Sequence, residues 1–475
     1  MAGKFLSFFG PLSRFMPEVN SPTRKVSFNE KLFWTAMALI IYLVMSQIAL
    51  FNVSGGGLDF QSIRIIFASN QGTLTELGIG PIVTGGLILQ LLIGSTIISA
   101  DLGNPEDRAL FTAATKFFSI LLTGVQAAAY LLGGVYGPLD SVTSIIIFCQ
   151  LLFAGIVLML LDEMMQKGWG IGSGISLFIL AGVAQGIMWD SFGITPHVAD
   201  GNTYGAFISL AETIMGGQPL LNAFFRYDLS TGALTTLPTM LGFIVTVVIF
   251  IIVIYIEGVR VELPISHANY RGFRGKYPIK LLYVSNLPVI FASALFANIY
   301  VFAQLLYSQP WGQGNFWVSL LGSFGGDNGT TLVGGLAYYV TAPNGLADVL
   351  ADPLRAVIYA GIMVAFAVIF SLTWLEVGGL GPSTVAKQLV DSGMQIPGFR
   401  RSGRSIEMIL NRYIPAVTVL GGAIIGLIAA VAGFFGVFGT GMGILLAVGI
   451  LYQYYQLLVQ EQVAEMYPAL GSVLG

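Results

Sequence analysis

Few residues in this chain have the type and spacing for covalent chemistry. The two histidines, His197 and His267, are far apart, and neither lies in an H-E-x-x-H or Cys/His cluster. A catalytic zinc site is therefore not expected. The single cysteine, Cys149, has no mate for an internal disulfide and sits in the apolar run Ile145–Leu161, where it reads as a small buried hydrophobe. No G-x-x-x-x-G-K-[ST] loop is present, so any driving force must come from another molecule. The runs Leu32–Leu58, Leu281–Gly326, Ala356–Leu375 and Tyr413–Gln460 contain no Asp, Glu, Lys or Arg. Ion- and proton-coupled transporters carry such charges inside the membrane. With no intramembrane carboxylate pair and no base beside a nucleophile, the chain is expected to be neither an enzyme nor the holder of a cofactor or metal.

Basic residues gather instead in two loops. Glu257–Lys280 carries Arg260, Arg271, Arg274, Lys276 and Lys280, and Glu376–Arg412 carries Arg400, Arg401 and Arg404 near Gly398 and Gly403. In the first loop Val259, Val261, Leu263 and Ile265 alternate with Arg260, Glu262 and Pro264, the pattern of a short strand with a tip at Gly272 and Gly275. Two readings stand. The charges set topology only, or they dock an anionic partner, since mobile arginines bind phosphate backbones and the ribosome is a cytosolic surface rich in them.

The elements that must hold these residues follow from composition. The chain has 475 residues, of which 55% are hydrophobic and 9% charged, with a net charge of -3. A soluble domain carries roughly 25% charge. The mean hydropathy of +0.81 excludes an ordinary water-soluble enzyme and a disordered chain alike. Sixty glycines suit helices packed closely in lipid. A spanning helix needs ~20 mostly apolar residues. Ten stretches qualify: Leu32–Phe51, Leu77–Ser99, Ala109–Val135, Val142–Leu161, Ile171–Trp189, Leu237–Ile256, Leu281–Leu305, Arg355–Leu375, Tyr413–Phe435 and Met442–Leu458. They are spans 1–10 below.

With the N-terminal segment 1–31 in the cytosol, the inner loops collect 18 of the 21 Lys and Arg residues. Only Arg64, Arg226 and Arg355 fall outside, as the positive-inside rule requires. Segment 1–31 lacks a small-residue cleavage site and reads as retained. The sequons at Asn52 and Asn328 both fall outside. Between spans 1 and 2 the stretch Gly55–Asn70 is apolar yet too short to cross. It reads either as an amphipathic helix on the outer surface or as a half-helix folded back into a protein-lined cavity.

Spans 1–5 and 6–10 look like two halves. Span 2 opens with Gly80-Pro81-Ile82-Val83 and span 7 with Leu287-Pro288-Val289-Ile290. Spans 5 and 10 open with G-x-G-I-x-L, at Gly172–Leu177 and Gly441–Leu446. Five is odd, so the halves are inverted, and inverted repeats place a site at their interface. The expected domains are 1–31, an N-terminal half 32–190, an external loop 191–236, a C-terminal half 237–461 with cytosolic loops 257–280 and 376–412, and a cytosolic tail 462–475.

Ala68–Leu74 (ASNQGTL), Leu77–Thr84 (LGIGPIVT), Arg108–Phe111 (RALF), Gly172–Ile179 (GSGISLFI), Tyr277–Lys280 (YPIK), Ser285–Pro288 (SNLP) and Asn411–Pro415 (NRYIP) run nearly the whole chain in order. In these stretches the sequence resembles SecY, the alpha subunit of the Sec protein translocon, on its archaeal–eukaryotic branch. It departs at Leu287, where the family usually has Ile, and in loops 191–236 and 307–352.

The resemblance implies an all-α membrane protein of ten transmembrane helices, in two inverted five-helix halves around a central pore. It implies an aliphatic pore ring of Ile79, Val83, Ile175, Ile179, Ile290 and Leu446. Ile79/Val83 and Ile175/Ile179 are i, i+4 pairs, so each pair shares a helix face, and an aliphatic constriction excludes ions by dewetting. It makes the re-entrant segment a plug at about 58–69, with Phe60, Ile63, Ile66 and Phe67. It makes spans 2, 3, 7 and 8 a lateral gate whose polar cluster is Thr84, Gln126 and Asn298, joined by hydrogen bonds of ~0.6 kcal/mol each. Arg271, Arg274, Arg400 and Arg401 would contact the ribosome. The implied partners are a SecE/gamma-type subunit, a small beta-type subunit, the ribosome with its nascent chain, and membrane lipid.

The expected function is to pass unfolded secretory polypeptides outward and to release hydrophobic segments sideways into lipid. The alternatives are an inverted-repeat secondary transporter and, less supported by the residues, an intramembrane enzyme. The protein is expected to be a multi-pass integral membrane protein with both termini cytosolic, in the cell membrane if archaeal or the endoplasmic reticulum membrane if eukaryotic.

Overall fold

The computed structural model describes residues 5, 8–13, 16–53, 68–94, 98, 105–133, 135–137, 139–195, 200–267, 274–284, 287–309, 311–312, 314–325, 331–392, 394–395 and 403–466. The expected plug residues Phe60, Ile63, Ile66 and Phe67 lie outside the described residues, as do Arg64, Arg271, Arg400 and Arg401. Nine of the described helices are long and apolar enough to cross a membrane. Span 1 is Phe28–Met45, span 3 Pro105–Leu132, span 4 Ser141–Gln166, span 5 Gly174–Phe192 and span 6 Met240–Gly258. Span 7 is Leu287–Ser308, span 8 Pro353–Val377, span 9 Gly403–Phe434 and span 10 Gly441–Met466.

Span 2 begins later than expected. Its described helix is Gly80–Gly94, with a start three residues after Leu77, and residues 95–97 and 99 lie outside the described residues. The reason is local. Residues 71–79 form successive turns, with Gly78 at φ 53°, and the helix starts only at Gly80. Pro81 then sits in the first turn, where a missing N–H costs nothing. Other starts are capped by side chains. The Ser27 hydroxyl accepts from the Glu30 N–H while the Glu30 carboxylate accepts from the Ser27 N–H. Asp352 accepts from the Arg355 N–H ahead of Pro353 at the start of span 8. Each cap supplies an acceptor for a donor that the helix leaves unpaired.

The two halves repeat one packing device. A Cβ on Gly174, the first residue of span 5, would meet the span 4 backbone at Asp162 Cα, 2.7 Å away. A Cβ on Gly441, the first residue of span 10, would meet Ala432 Cβ of span 9 at 2.4 Å. In each half, then, the fifth helix can lie against the fourth only because glycine opens it.

Lysines near the span 4–5 turn are paired. Lys116 binds Glu163 of span 4 at 2.5 Å, and both are largely buried. Lys167 bonds the same Glu163 oxygen at 2.9 Å and Glu18 at 2.5 Å. The Val19 carbonyl also accepts from Lys167, at 2.5 Å, and the Asn20 carbonyl accepts from the Trp169 indole at 2.7 Å. This chain of contacts ties residues 18–20 to the turn between spans 4 and 5. The helix Phe9–Ser13 adds an apolar tie, with Phe9 buried beside Leu89 of span 2 and Ala114 of span 3.

Loop 191–236, on which the sequence is silent, is folded around one arginine. Arg226 is 1% exposed. Its Nε pairs with Asp200, Nη1 donates to the carbonyls of Tyr204 (2.8 Å) and Pro238 (3.3 Å), and Nη2 donates to that of Thr203 (2.7 Å). Arg355 is similarly held. Its Nε donates to the Tyr338 carbonyl at 3.1 Å, and its guanidinium lies 4.0 Å from the centre of the Tyr338 ring. Two of the three basic residues assigned to the outer side are thus structural locks.

The two basic loops are one unit. Strand β1 (Arg260–His267) pairs antiparallel with β2 (Arg274–Lys280), from Arg260↔Lys280 to Ser266↔Arg274. A separate hairpin, β3 (Ser323–Gly325) and β4 (Thr331–Gly334), follows span 7. Strand β5 (Met394–Gln395), from the loop after span 8, pairs with β1 through Ser266↔Gln395 and His267↔Met394. Beneath the sheet, Leu263 and Ile279 share a core with Leu375, Leu389 and Ile406–Ile414 residues of spans 8 and 9 and the helix Pro382–Asp391.

Two outcomes are expected. Arg226→Met leaves Asp200 buried without its counter-ion and should destabilise the fold by about 3–5 kcal/mol, read as a lower unfolding midpoint in detergent. R226M/D200L should recover part of that loss. Secondly, the hydrogen bond from Lys167 holds the Glu18 carboxyl below the usual carboxylate range. A lowered folded-state pKa stabilises above the ordinary value of about 4.3 and is lost as pH falls through the lowered one. Protease protection of residues 16–20 should therefore drop on acidification below that value, and the pH dependence should vanish in K167Q.

Candidate pore and gate

The six expected ring residues come together. Ile79, Ile179 and Leu446 are buried in one hydrophobic cluster, and Val83, Ile175 and Ile290 are half-buried and pack against it. They arrive from spans 2, 5, 7 and 10 and the turn before span 2, so four helices of both halves converge on them. Val83, Ile175, Ile179, Ile290 and Leu446 also line a cavity of about 440 Å³. The same cavity reaches the polar end of the bundle, where Gln90, Lys116, Asp162, Glu163 and Gln453 line it. The cavity thus has both polar and aliphatic walls. An aliphatic constriction excludes ions by dewetting, without any charged barrier.

The ring helices are positioned by the turns that precede them. Asp162 at the end of span 4 accepts from the Ser173 hydroxyl (3.1 Å) and the Ile175 N–H (3.0 Å), which fixes the entry of span 5. Tyr454 of span 10 donates to the Ser173 carbonyl at 2.7 Å, joining the two halves at that turn. Before span 10, Asp190 of span 5 accepts from the Gly439 N–H at 3.1 Å, and Thr440 caps span 10 by accepting from the Gly443 N–H. Neither carboxylate stands out in the sequence, because both lie at span ends. The signal was there: an acid in an apolar helix end beside a Gly-rich turn needs donors, and the turn supplies them.

The exit of the expected plug is pinned at the same place. Ala68 is buried in the cluster that holds Ile79, Ile179 and Leu446. Tyr42 of span 1, stacked on Phe178 at 5.0 Å, donates to the Ala68 carbonyl at 3.1 Å. Asn70 donates to the Ser46 carbonyl and to Gln185 of span 5, both at 3.4 Å. The buried Glu76 carboxylate accepts from the Gly72 N–H. The motif from Ala68 to Leu74 is therefore a clamp on the chain leaving segment 58–67.

The gate differs from expectation. Span 2 packs against spans 3, 7 and 8, and span 3 against span 7, so the four expected helices do meet. Thr84, Gln126 and Asn298 do not bond one another among the described residues. The Asn298 amide donates to the Ala294 carbonyl of its own helix at 2.8 Å, and the Thr84 hydroxyl is buried with no partner among the described residues. The seam is aromatic instead. Phe291 of span 7 lies 6.1 Å from Phe370 and 5.4 Å from Trp374 of span 8, both tilted or edge-on. Together with Leu87, Gln90 and Leu91 of span 2 they leave a void of only about 10 Å³. Apolar packing needs no exact donor geometry, and other apolar surface can replace it. Of the expected docking arginines, Arg274 opens strand β2, and the other three lie outside the described residues.

A buried hydroxyl without a partner carries a penalty of about 1–3 kcal/mol. Thr84→Val removes it at nearly constant shape. The substitution should raise the unfolding midpoint of the purified chain, and a lowered midpoint would show that the hydroxyl is bonded.

Residues 73–455 match the SecY family, and residues 40–72 match the plug domain of Sec61p. A solved protein-conducting channel is 38% identical, with 97% of this chain and 98% of that one covered and a TM-score of 0.81. Canine Sec61, in a ribosome–channel complex from the endoplasmic reticulum, is 37% identical over the same shares, with a TM-score of 0.78. The yeast Ssh1 complex, solved idle on the yeast 80S ribosome, is 27% identical over 96% of this chain and 94% of that one, with a TM-score of 0.78. The chain belongs to the SecY family.

Proposed function

We propose that this chain is the central pore-forming subunit of a protein-conducting channel. It translocates unfolded secretory polypeptides across the membrane and releases hydrophobic segments laterally into lipid. The observation that carries this is the convergence of six aliphatic side chains from both halves on one neck, with Ala68, the end of the plug segment, buried among them. A neck of aliphatic side chains grips no particular sequence, which suits a conduit for chains of every composition. The comparisons give the transporter alternative no support.

The pore ring is Ile79, Val83, Ile175, Ile179, Ile290 and Leu446, closed by a plug at about 58–69. Lateral exit runs between spans 2 and 3 on one side and 7 and 8 on the other, where a hydrophobic signal segment displaces Phe291, Phe370 and Trp374 from one another. Thr84, Gln126 and Asn298 line that route. The halves divide at loop 191–236. The platform of loops 257–280 and 376–412 docks the ribosome through Arg271, Arg274, Arg400 and Arg401, as befits a family whose canine and yeast members were solved on ribosomes. A SecE/gamma-type subunit and a small beta-type subunit complete the complex. The protein is a multi-span membrane protein, and both termini are assigned to the cytosol by the placement of Lys and Arg.

A photocrosslinker in place of Ile179 or Ile290 should capture an arrested nascent secretory chain in the assembled, ribosome-bound complex. One in place of the lipid-exposed Phe153 should not. No capture from either ring position would overturn the pore assignment.

A further inference from the structure

The segment after span 7 carries an apolar surface that the channel reading does not use. Trp311 is 59% exposed, Phe316 69%, Trp317 74% and Leu320 56%. The short helix Phe316–Leu321 is capped by Asn315 and turns Val318 and Leu321 inward. Its exposed aromatics form an edge-on pair with ring centres 5.6 Å apart. Water is a poor neighbour for such a patch, which on a soluble surface marks an interaction site.

What covers it follows from its place and its chemistry. Trp311 comes three residues after span 7 ends at Ser308, so the patch lies at the end of a membrane helix. No Asp, Glu, Lys or Arg occurs from Leu281 to Gly326, so a charged partner surface finds nothing to pair with. Neither exposed indole has a bonded partner among the described residues, and Trp is the side chain that sits with its ring in hydrocarbon and its N–H at the headgroups.

The mount is rigid. Phe324 of β3 is buried against Tyr300 and Tyr307 of span 7, 5.4 Å from each ring, with Ala303 and Ala337 filling the same small core. Gly322, between the short helix and β3, has room for no Cβ, because one would lie 2.9 Å from Ala303. The patch therefore moves as one body with the outer end of span 7.

We propose that Trp311, Phe316, Trp317 and Leu320 insert into the interfacial layer of the leaflet opposite the basic loops, and that this lipid contact anchors span 7. The partner is the lipid surface itself, recognised by apolar area and indole N–H and not by lipid charge. Span 7 carries Ile290, Phe291 and Asn298, so the anchor sits on the helix that borders both neck and seam.

The test uses the full chain with Cys149→Ala and a nitroxide on Trp317→Cys, reconstituted in vesicles of neutral phosphatidylcholine, with or without anionic phosphatidylglycerol. Insertion makes oxygen relax the label more strongly than a water-soluble nickel chelate does, equally in both lipids. Stronger relaxation by the nickel chelate overturns the proposal and points to a protein partner. Insertion only with anionic lipid overturns it too. Quenching of the native tryptophans by brominated lipid checks that the label has not created the insertion: it should fall in W311F/W317F, and unchanged quenching overturns the assignment.

Discussion

A polar group carried into a bilayer has no water to fall back on, so it must find its partner within the chain. Most features of this structure are answers to that constraint. Lys116 and Glu163 meet across spans 3 and 4. Asp162 and Asp190 are met by backbone N–H groups at the turns before spans 5 and 10. Arg226 satisfies its guanidinium on three carbonyls and one carboxylate. Each pairing fixes where a helix begins or how a loop closes, and the ring is the place left over, where no polar group reaches. The aliphatic neck lies beside groups that are mostly turned toward partners of their own.

The same constraint explains what the sequence disclosed. Spans are long apolar runs, so their existence and approximate places are legible from one sequence. The exception is span 2, whose start is set by the turns through Gly78 and not by hydropathy. The ring residues were reached through resemblance, because an aliphatic side chain facing a pore looks like one facing lipid. Partnerships over long sequence distances were not legible at all. Nothing local announces that Lys167 reaches Glu18, or that Arg226 gathers the carbonyls of residues 203, 204 and 238. The polar gate shows the opposite limit. The residue types at Thr84, Gln126 and Asn298 fit a hydrogen-bonded cluster, yet Asn298 is satisfied within its own helix. Composition offers donors and acceptors, and only packing decides which of them meet.

An aromatic seam and an aliphatic neck have a common physical advantage. Both are held by surface burial, which is non-directional and needs no donor–acceptor register to form. A seam of charged hydrogen bonds would close more selectively and reopen at a higher cost in desolvation. The rigid parts lie elsewhere, in the turns clamped by Asp162, Asp190 and Glu76 and in the glycine-mediated contacts of spans 4–5 and 9–10.

Strand β5 adds only two residues to the sheet, but they come from a different loop. Ser266 and His267 must find Gln395 and Met394, and the core beneath draws on both loops and on spans 8 and 9. The loops are therefore inherited as a pair. A chimera that grafts one of them from a relative would meet a foreign edge strand and a mismatched core, whereas exchanging both together preserves the seam between them. Substitutions that drift in one loop are free to persist only where the other can follow.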